Sequence, residues 1–156
     1  KSSSPPTFGT DMLNGIENVI GSQFDDVIFG NFSVNRLEGG GGNDFLLALG
    51  NDTLTGGSGS DVFAFVAENP GDLTGEAWIT DFSAIDGDKI DLTRLGIETS
   101  ESLNNPNFVS LLELGGQTDI TVYPDGINFL IGIHVIHVIH SNPESPPLQT
   151  SDFYFG

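Results

Sequence analysis

The sequence predicts an all-β fold: very short strands coiled one upon another, with a β-structured cap at the C-terminal end. Three observations carry that prediction. Glycine recurs in front of aspartate at a near-constant period, with a bulky apolar residue two places after each aspartate, as in EGGGGNDFLLALGNDTLTGGSGSDVFAF (38–65). The 156 residues include 21 Gly and 8 Pro, too many turn formers for long helices. The last third holds several apolar, β-branched runs bounded by Gly, Pro, Asn and Asp.

Composition narrows the partners. Lys plus Arg number 4 against 22 Asp plus Glu, a formal net charge of −18. A field of that sign repels nucleic acid and anionic membranes and favours cations. The acidic residues stand singly among glycines, unlike an acidic disordered tail. Without Cys there is no disulfide framework and no thiolate metal site. No apolar run is long enough for a membrane span, and the opening KSSSPPTFG has no signal-peptide core. A chain opening on Lys1 is expected to be a fragment or a processed chain, with any export signal elsewhere than at this N-terminus.

Residues 1–11 read as a lead-in. From residue 12 to residue 64 the chain follows a nine-residue frame, G-G-x-G-x-D-x-U-x with U apolar. Residues 12–20 keep Gly15, a carboxylate at Glu17 and Val19; residues 21–29 keep Gly21, Asp26 and Ile28. Residues 30–38 keep Gly30 and Leu37, with Asn35 in the Asp position. Residues 39–47 and 56–64 fit at every specified position, and between them residues 48–55 are one short yet retain G-N-D-x-L.

The glycine-rich half of the frame needs tight turns with positive φ, which glycine adopts without a Cβ clash. The x-U-x half is a minimal strand whose middle side chain points inward. Stacking such strands buries one column, Val19, Ile28, Leu37, Leu46, Leu54 and Phe63, spaced 9, 9, 9, 8 and 9 residues apart. A flexible Gly/Ser linker has no reason to keep that spacing. The turns gather backbone oxygens around Gly39, Gly40, Gly42, Gly57 and Gly59 with the carboxylates of Asp26, Asp44, Asp52 and Asp61. Such a hard, oxygen-only donor set suits Ca2+, which takes 6–8 oxygens at roughly 2.3–2.6 Å.

The repeated segment resembles the RTX nonapeptide of haemolysin-type calcium-binding proteins, a parallel β-roll stacked on calcium. The resemblance implies two nonapeptides per coil. Asp26, Asp44 and Asp61 would then share one edge, and Glu17, Asn35 and Asp52 the other. The first edge has the better glycines, so bound Ca2+ is expected to concentrate there. Residues 65–100 resemble the segment that ends such rolls: AWITDF keeps Ile79, Asp81 and Phe82 but has Ala77 where the pattern has Asp, and DKIDLT follows nearly intact. By this resemblance Asp81 completes a terminal calcium site. The cluster Asp86, Asp88 and Asp91 lacks the Gly and distal Glu of an EF-hand loop and reads first as a solvated acidic turn, with a further cation site as the alternative.

LTRLGI reads as a short helix or turn, NFVSLLEL, TDITVYP and INFLIGIHVI as strands, and YPDGI as a tight turn between two of them. Across residues 101–156, Thr118, Ile120, Asp125, Gly126, Leu130, Gly132, Ile133, Leu148, Asp152, Phe153 and Phe155 follow in order the C-terminal pattern of the same family. That pattern implies a cap carrying an uncleaved type I secretion signal, and hence the type I machinery of a Gram-negative bacterium as partner and a secreted or cell-surface location.

His134, His137 and His140 in IHVIHVIH lack the i, i+4 spacing and adjacent Glu of a zincin helix. On a strand His137 points away from the other two, and the three read as partly exposed strand or loop residues. No nucleophile elbow, P-loop or dinucleotide fingerprint is present, so no enzymatic activity is expected of these residues. The function expected is a calcium-binding module that folds outside the cell as the tail of a larger exported protein. The alternatives are a roll that holds an extracellular polysaccharide for a modifying enzyme, and a structural or adhesin tail.

Overall fold

The computed structural model describes residues 10–12, 15–66, 75–106, 108–123, 134–142 and 144–155. The chain winds between two facing sheets. Its strands in order are β1 (Thr10–Met12), β2 (Asn18–Ile20), β3 (Val27–Phe29), β4 (Arg36–Gly41), β5 (Phe45–Ala48), β6 (Thr53–Ser58) and β7 (Val62–Phe65). There follow β8 (Gly75–Phe82), β9 (Lys89–Asp91), β10 (Val109–Glu113), β11 (Gln117–Val122), β12 (His134–His140) and β13 (Phe153–Tyr154). One sheet runs β1-β3-β5-β7-β9-β13 and the other β10-β11-β12-β8-β6-β4-β2. From β2 to β9 successive strands fall alternately in the two sheets, so each coil takes one strand from each. This is the parallel β-roll expected from the sequence.

The apolar residues of the repeats form two inward columns that face each other, not the single column expected, because successive strands fall in alternate sheets. In one sheet Ile28, Leu46, Phe63, Ile90 and Phe153 lie side by side; in the other, Val19, Leu37, Leu54, Ile79 and Val138 do. Leu37, Leu46, Leu54, Phe63, Ile79 and Ile90 are completely buried. At about 25 cal/mol per Å2 of apolar surface, this double column is the main source of cohesion between coils.

The eight-residue repeat leaves the strands undisturbed. Arg36 pairs with Thr53 and Leu37 with Leu54, while Val27 to Phe29 pair with Phe45 to Leu47. The missing residue comes out of the turn before Asp52, where residues 49–51 do the work of residues 31–34. A deletion inside a strand would have moved every later side chain to the opposite face.

The C-terminal cap continues both sheets. β12 adds parallel to β8, β11 antiparallel to β12 and β10 antiparallel to β11, while β13 adds parallel to β9. LTRLGI contains a 3-10 turn, Thr93–Leu95, which ends at Gly96 with φ 85°. The helix α1 (Ser100–Leu103) is capped by Thr99, whose side chain accepts the Ser102 N–H. Leu95, Ile97 and Leu103 from this segment plug the end of the core. NFVSLLEL and TDITVYP form β10 and β11. Of INFLIGIHVI only the part from His134 is described; Asp125, Gly126, Leu130, Gly132, Ile133 and most of the YPDGI turn lie outside the described residues. No helix among those described is long and apolar enough to cross a membrane.

Candidate metal centre

Two sets of turns join the sheets. Leaving the seven-stranded sheet, the chain turns at residues 21–26, 42–44, 59–61 and 83–88; returning to it, it turns at 30–35 and 49–52. Asp26, Asp44 and Asp61 stack along the first edge, linked as rungs. The N–H of Asp26 donates to Asp44 Oδ1 at 2.8 Å and that of Asp44 to Asp61 Oδ1 at 2.9 Å. Asp61 N–H in turn donates to Asp88 Oδ1 at 2.9 Å.

What the second carboxylate oxygen meets separates the rungs. Asp26 Oδ2 accepts the N–H of Ser22 at 2.6 Å and its hydroxyl at 2.8 Å, and Asp88 Oδ2 accepts the Ser83 N–H at 2.8 Å. Asp44 Oδ2 and Asp61 Oδ2 are buried with no hydrogen-bond partner among the described residues. They belong to the two repeats in which the frame is complete. An oxygen so placed loses its hydration without return, at a cost of about 1–3 kcal/mol or more for a charged group.

The glycines shape the cradle. A Cβ on Gly39 would collide with Asp44 Oδ2, and one on Gly56 with Asp61 Oδ2. Gly40, Gly42, Gly57 and Gly59 have φ of 107°, 110°, 100° and 130°. A Cβ on Gly57 would run into the carbonyl of Gly40, and one on Gly59 into that of Gly42, so adjacent coils touch through bare backbone. Among the described residues no three His or carboxylate side chains converge on one point. An ion on this edge would therefore be held by carboxylate and carbonyl oxygens together. That donor set, with no thiolate and no imidazole, fits Ca2+.

Electrostatics follow from burial. Burial pushes the Asp44 carboxyl up to about 6 against the pull of the Asp26 N–H, with the charges of Asp61, Asp26 and Asp25 adding to the rise. Asp61 is likewise pushed up to about 6, first by burial and then by Asp88, Asp81 and Asp86, against the Asp44 N–H. Asp88 reaches about 6 by burial too, offset by the N–H groups of Asp61 and Ser83 and raised by Asp81 and Asp86. Three neighbouring groups that resist ionisation mark an edge short of positive charge.

Asp81 lies at the same edge with both oxygens engaged, accepting the N–H of Gly56 at 2.9 Å and of Gly57 at 2.8 Å. It thereby fixes the start of the turn that carries Asp61. The second edge is differently built. Asp52 Oδ1 accepts the Asn35 N–H at 2.7 Å, and Oδ2 accepts those of Leu49 at 3.0 Å and Gly50 at 3.2 Å. Asn35 accepts the Asn31 N–H and donates to the Ile16 carbonyl. Glu17 is exposed and contributes its carbonyl to the Arg36 N–H. Backbone donors occupy both oxygens of Asp52.

The structure corrects two expectations and adds two features. Asp88 and Asp91 do not sit in a solvated turn: both are buried, Asp88 as the fourth rung and Asp91 as acceptor of the Thr93 N–H and hydroxyl. Asp88 follows Asp61 only after the excursion through β8, which hid it from the nine-residue frame. An outer rail also runs beside the rungs: Asn43 N–H donates to Asp25 Oδ1 at 2.7 Å and Ser60 N–H to Asn43 Oδ1 at 2.9 Å. The Asn and Ser before Asp in G-N-D and G-S-D were the signal for it. On β12, His137 faces outward and His140 inward; His140 is buried, with its Nε2 3.0 Å from Thr118 Oγ1, so its expected partial exposure is corrected.

Comparison with known proteins bears on the family and the fold. The family model for the serralysin C-terminal region of M10 peptidases matches residues 12–130. The solution structure of the R3 subunit of the Azotobacter vinelandii mannuronan C5-epimerase superposes with a TM-score of 0.66 at 23% identity, covering 98% of this chain and 86% of that one. The R2 subunit of the same epimerase is 22% identical with a TM-score of 0.40, over 89% of this chain and 92% of that one. At such identity the first likeness is one of fold. No curated protein matches the chain.

Proposed function

The chain belongs to the serralysin C-terminal family, and from that premise we propose that it is a calcium-binding β-roll module whose folding is driven by Ca2+ outside the cell. The observation that carries the reading is the pair of unpartnered, buried oxygens, Asp44 Oδ2 and Asp61 Oδ2. They occur in the two complete nonapeptides, and the glycines beside them leave room for oxygens alone. Bound calcium would supply positive charge to carboxylates that the protein itself leaves uncompensated. The candidate ligands along the first edge are Asp26, Asp44 and Asp61 with the backbone around Gly39, Gly40, Gly42, Gly57 and Gly59. Asp81 steadies that edge by holding the Gly56 and Gly57 N–H groups. Asp52, also a candidate from the sequence, has its oxygens taken by N–H donors and ranks below them.

The consequence is a compartment switch. Where calcium is scarce, the stacked Asp rungs repel one another and the glycine-rich chain favours the unfolded state, which can be threaded through a type I secretion channel. Outside, the binding free energy becomes folding free energy. In this reading residues 12–64 are the roll, 65–100 its terminating segment and 101–156 the cap, together a non-catalytic tail of a larger exported protein. A polysaccharide-holding role is the second reading: of the aromatic rings that could stack on a sugar, Trp78 has His137 stacked on it, while Tyr154 is exposed.

A far-UV circular dichroism titration tests the proposal. From chelator upward, a cooperative gain of β signal is expected at a Ca2+ concentration on the order of 10⁻⁴–10⁻³ M, and none with Mg2+. A full β spectrum already present in chelator and indifferent to calcium would overturn it.

A further inference from the structure

On the outer face of the seven-stranded sheet, far along the chain from the Asp rungs, His137 of β12 meets two carboxylates from two different strands. Its Nδ1 lies 2.7 Å from Asp119 Oδ1 on β11, and its Nε2 lies 2.9 Å from Glu76 Oε1 on β8. The ring also stacks on Trp78 of β8, with centroids 4.0 Å apart and planes 22° from parallel. Strand register produces this meeting: His137 is the pairing partner of both Trp78 and Asp119. Its side chain is 13% exposed, against 19% for Asp119 and 61% for Glu76, so the Asp119 contact is the better shielded.

A neutral imidazole has one N–H and one lone pair, whereas the imidazolium has two N–H donors. The neutral ring can therefore donate to one of these carboxylates and must turn its lone pair toward the other. Only the protonated ring satisfies both. Among the described residues, the titratable groups facing it are Glu76 from β8 and Asp119 from β11. Its remaining neighbours are Trp78, the Gln117 amide 3.3 Å from Nδ1, and Val135 and Ile139 on its own strand face. Farther off on β4, Arg36 and Glu38 pair with each other.

We propose that His137 is a proton-dependent latch: the imidazolium fastens the cap strands β11 and β12 to the roll strand β8, and loss of its proton loosens them. The latch sits where the cap joins the roll, since β12 is the strand that connects β8 to β11 and β10. Asp119 is accordingly held below the usual carboxylate range: burial pushes it up, but hydrogen bonds from Gln117 and His137 and the His137 charge outweigh that.

Trp78 is the only tryptophan, so its emission reports on the ring stacked upon it, and an imidazolium quenches indole more than a neutral imidazole does. The full chain in saturating calcium would be titrated between about pH 5 and 9, the span over which imidazole changes charge. Emission is expected to rise with pH in one step that is lost in His137→Gln and moves to lower pH in Glu76→Gln and in Asp119→Asn. Over the same step, amide exchange in β11 and β12, corrected for its intrinsic pH dependence, should quicken several-fold in the native chain and stay flat in His137→Gln. A step that survives His137→Gln, or cap protection indifferent to pH, overturns the latch. Should His137→Gln fail to fold, the two carboxylate variants decide: a step unmoved in both overturns the proposal.

Discussion

Asp61 and Asp52 are both completely buried in glycine-bearing turns, yet of the two only Asp61 keeps an oxygen that no described residue satisfies. Their amides should therefore behave oppositely. Asp52→Asn removes an acceptor shared by the N–H groups of Leu49 and Gly50. It should cost about 1–3 kcal/mol with or without calcium, since the loss lies in the fold itself. Asp61→Asn relieves a buried charge, so melting in chelator should be unchanged or raised, while the stabilisation gained from calcium shrinks. Parallel melts of the two variants in chelator and in calcium check this; equal losses for both in calcium alone would contradict it. Acid should probe the same groups. Asp44, Asp61 and Asp88 are raised from 3.8 to about 6 in the folded chain, so between those values the folded state holds protons that the unfolded state has released. Without calcium, the stability they contribute is complete below 3.8 and is lost as pH rises through about 6. With calcium the slope should reverse, because ligation needs the ionised form, and melting should fall as pH drops below about 6. Melts across that window with and without metal would show the crossing slopes or refute them.

Each coil contributes one strand to each sheet, and what holds it in register is the inward column rather than the turns. The short repeat shows this: its turn lost a residue while Leu37 and Leu54 stayed side by side. Inserting one glycine between Gly50 and Asn51 should thus leave the strand register intact and cost no more than about 1–3 kcal/mol, the loss of the Leu49 and Gly50 N–H contacts with Asp52, since the added closure entropy is small. The same insertion after Leu54 would send the rest of β6 to the wrong face and should abolish cooperative melting. Phe63→Ala, by contrast, empties a fully buried position and should cost about 3–5 kcal/mol. These elements were legible because they are local. A glycine turn, a three-residue strand and one inward side chain recur inside nine residues, so which residues are buried follows from counting, whereas the rungs at Asp26, Asp44 and Asp61 needed the two nonapeptides per coil that the family resemblance implies. Asp88 was not legible, since β8 and residues 83–87 interrupt the count without the glycine frame. Nor was the pairing of β12 with β8, because His134 follows Gly75 at long range and β-propensity alone names no partner. The His137 contacts depend on that pairing and were invisible for the same reason.

As a whole the molecule is close to one-dimensional, each coil touching the next, and its two ends differ. At the C-terminal end β10, β11, β12 and β13 extend both sheets, and Leu95, Ile97 and Leu103 close the core. At the other end Ile16, Ile20 and Phe24 are exposed, and Val19, which opens its column, is only partly buried. In a stack governed by nearest-neighbour contacts, stability is lowest where a coil has one neighbour and rises inward from an open end. Amide exchange in calcium should therefore be slowest in β6 to β9, quicker in β3 and β4 and quickest in the edge strands β1 and β2. Removing calcium should not scale all of these equally. The turns that carry Asp44 and Asp61 would lose compensation for their buried oxygens, so β4 to β7 should lose more protection than β11 and β12, which rest on strand pairing and the apolar end plug. Exchange measured at increasing chelator would separate a graded loss of this kind from simultaneous opening of every strand. Simultaneous opening would mean that cap and roll form one cooperative unit in which calcium acts on the whole rather than on the coils that bind it.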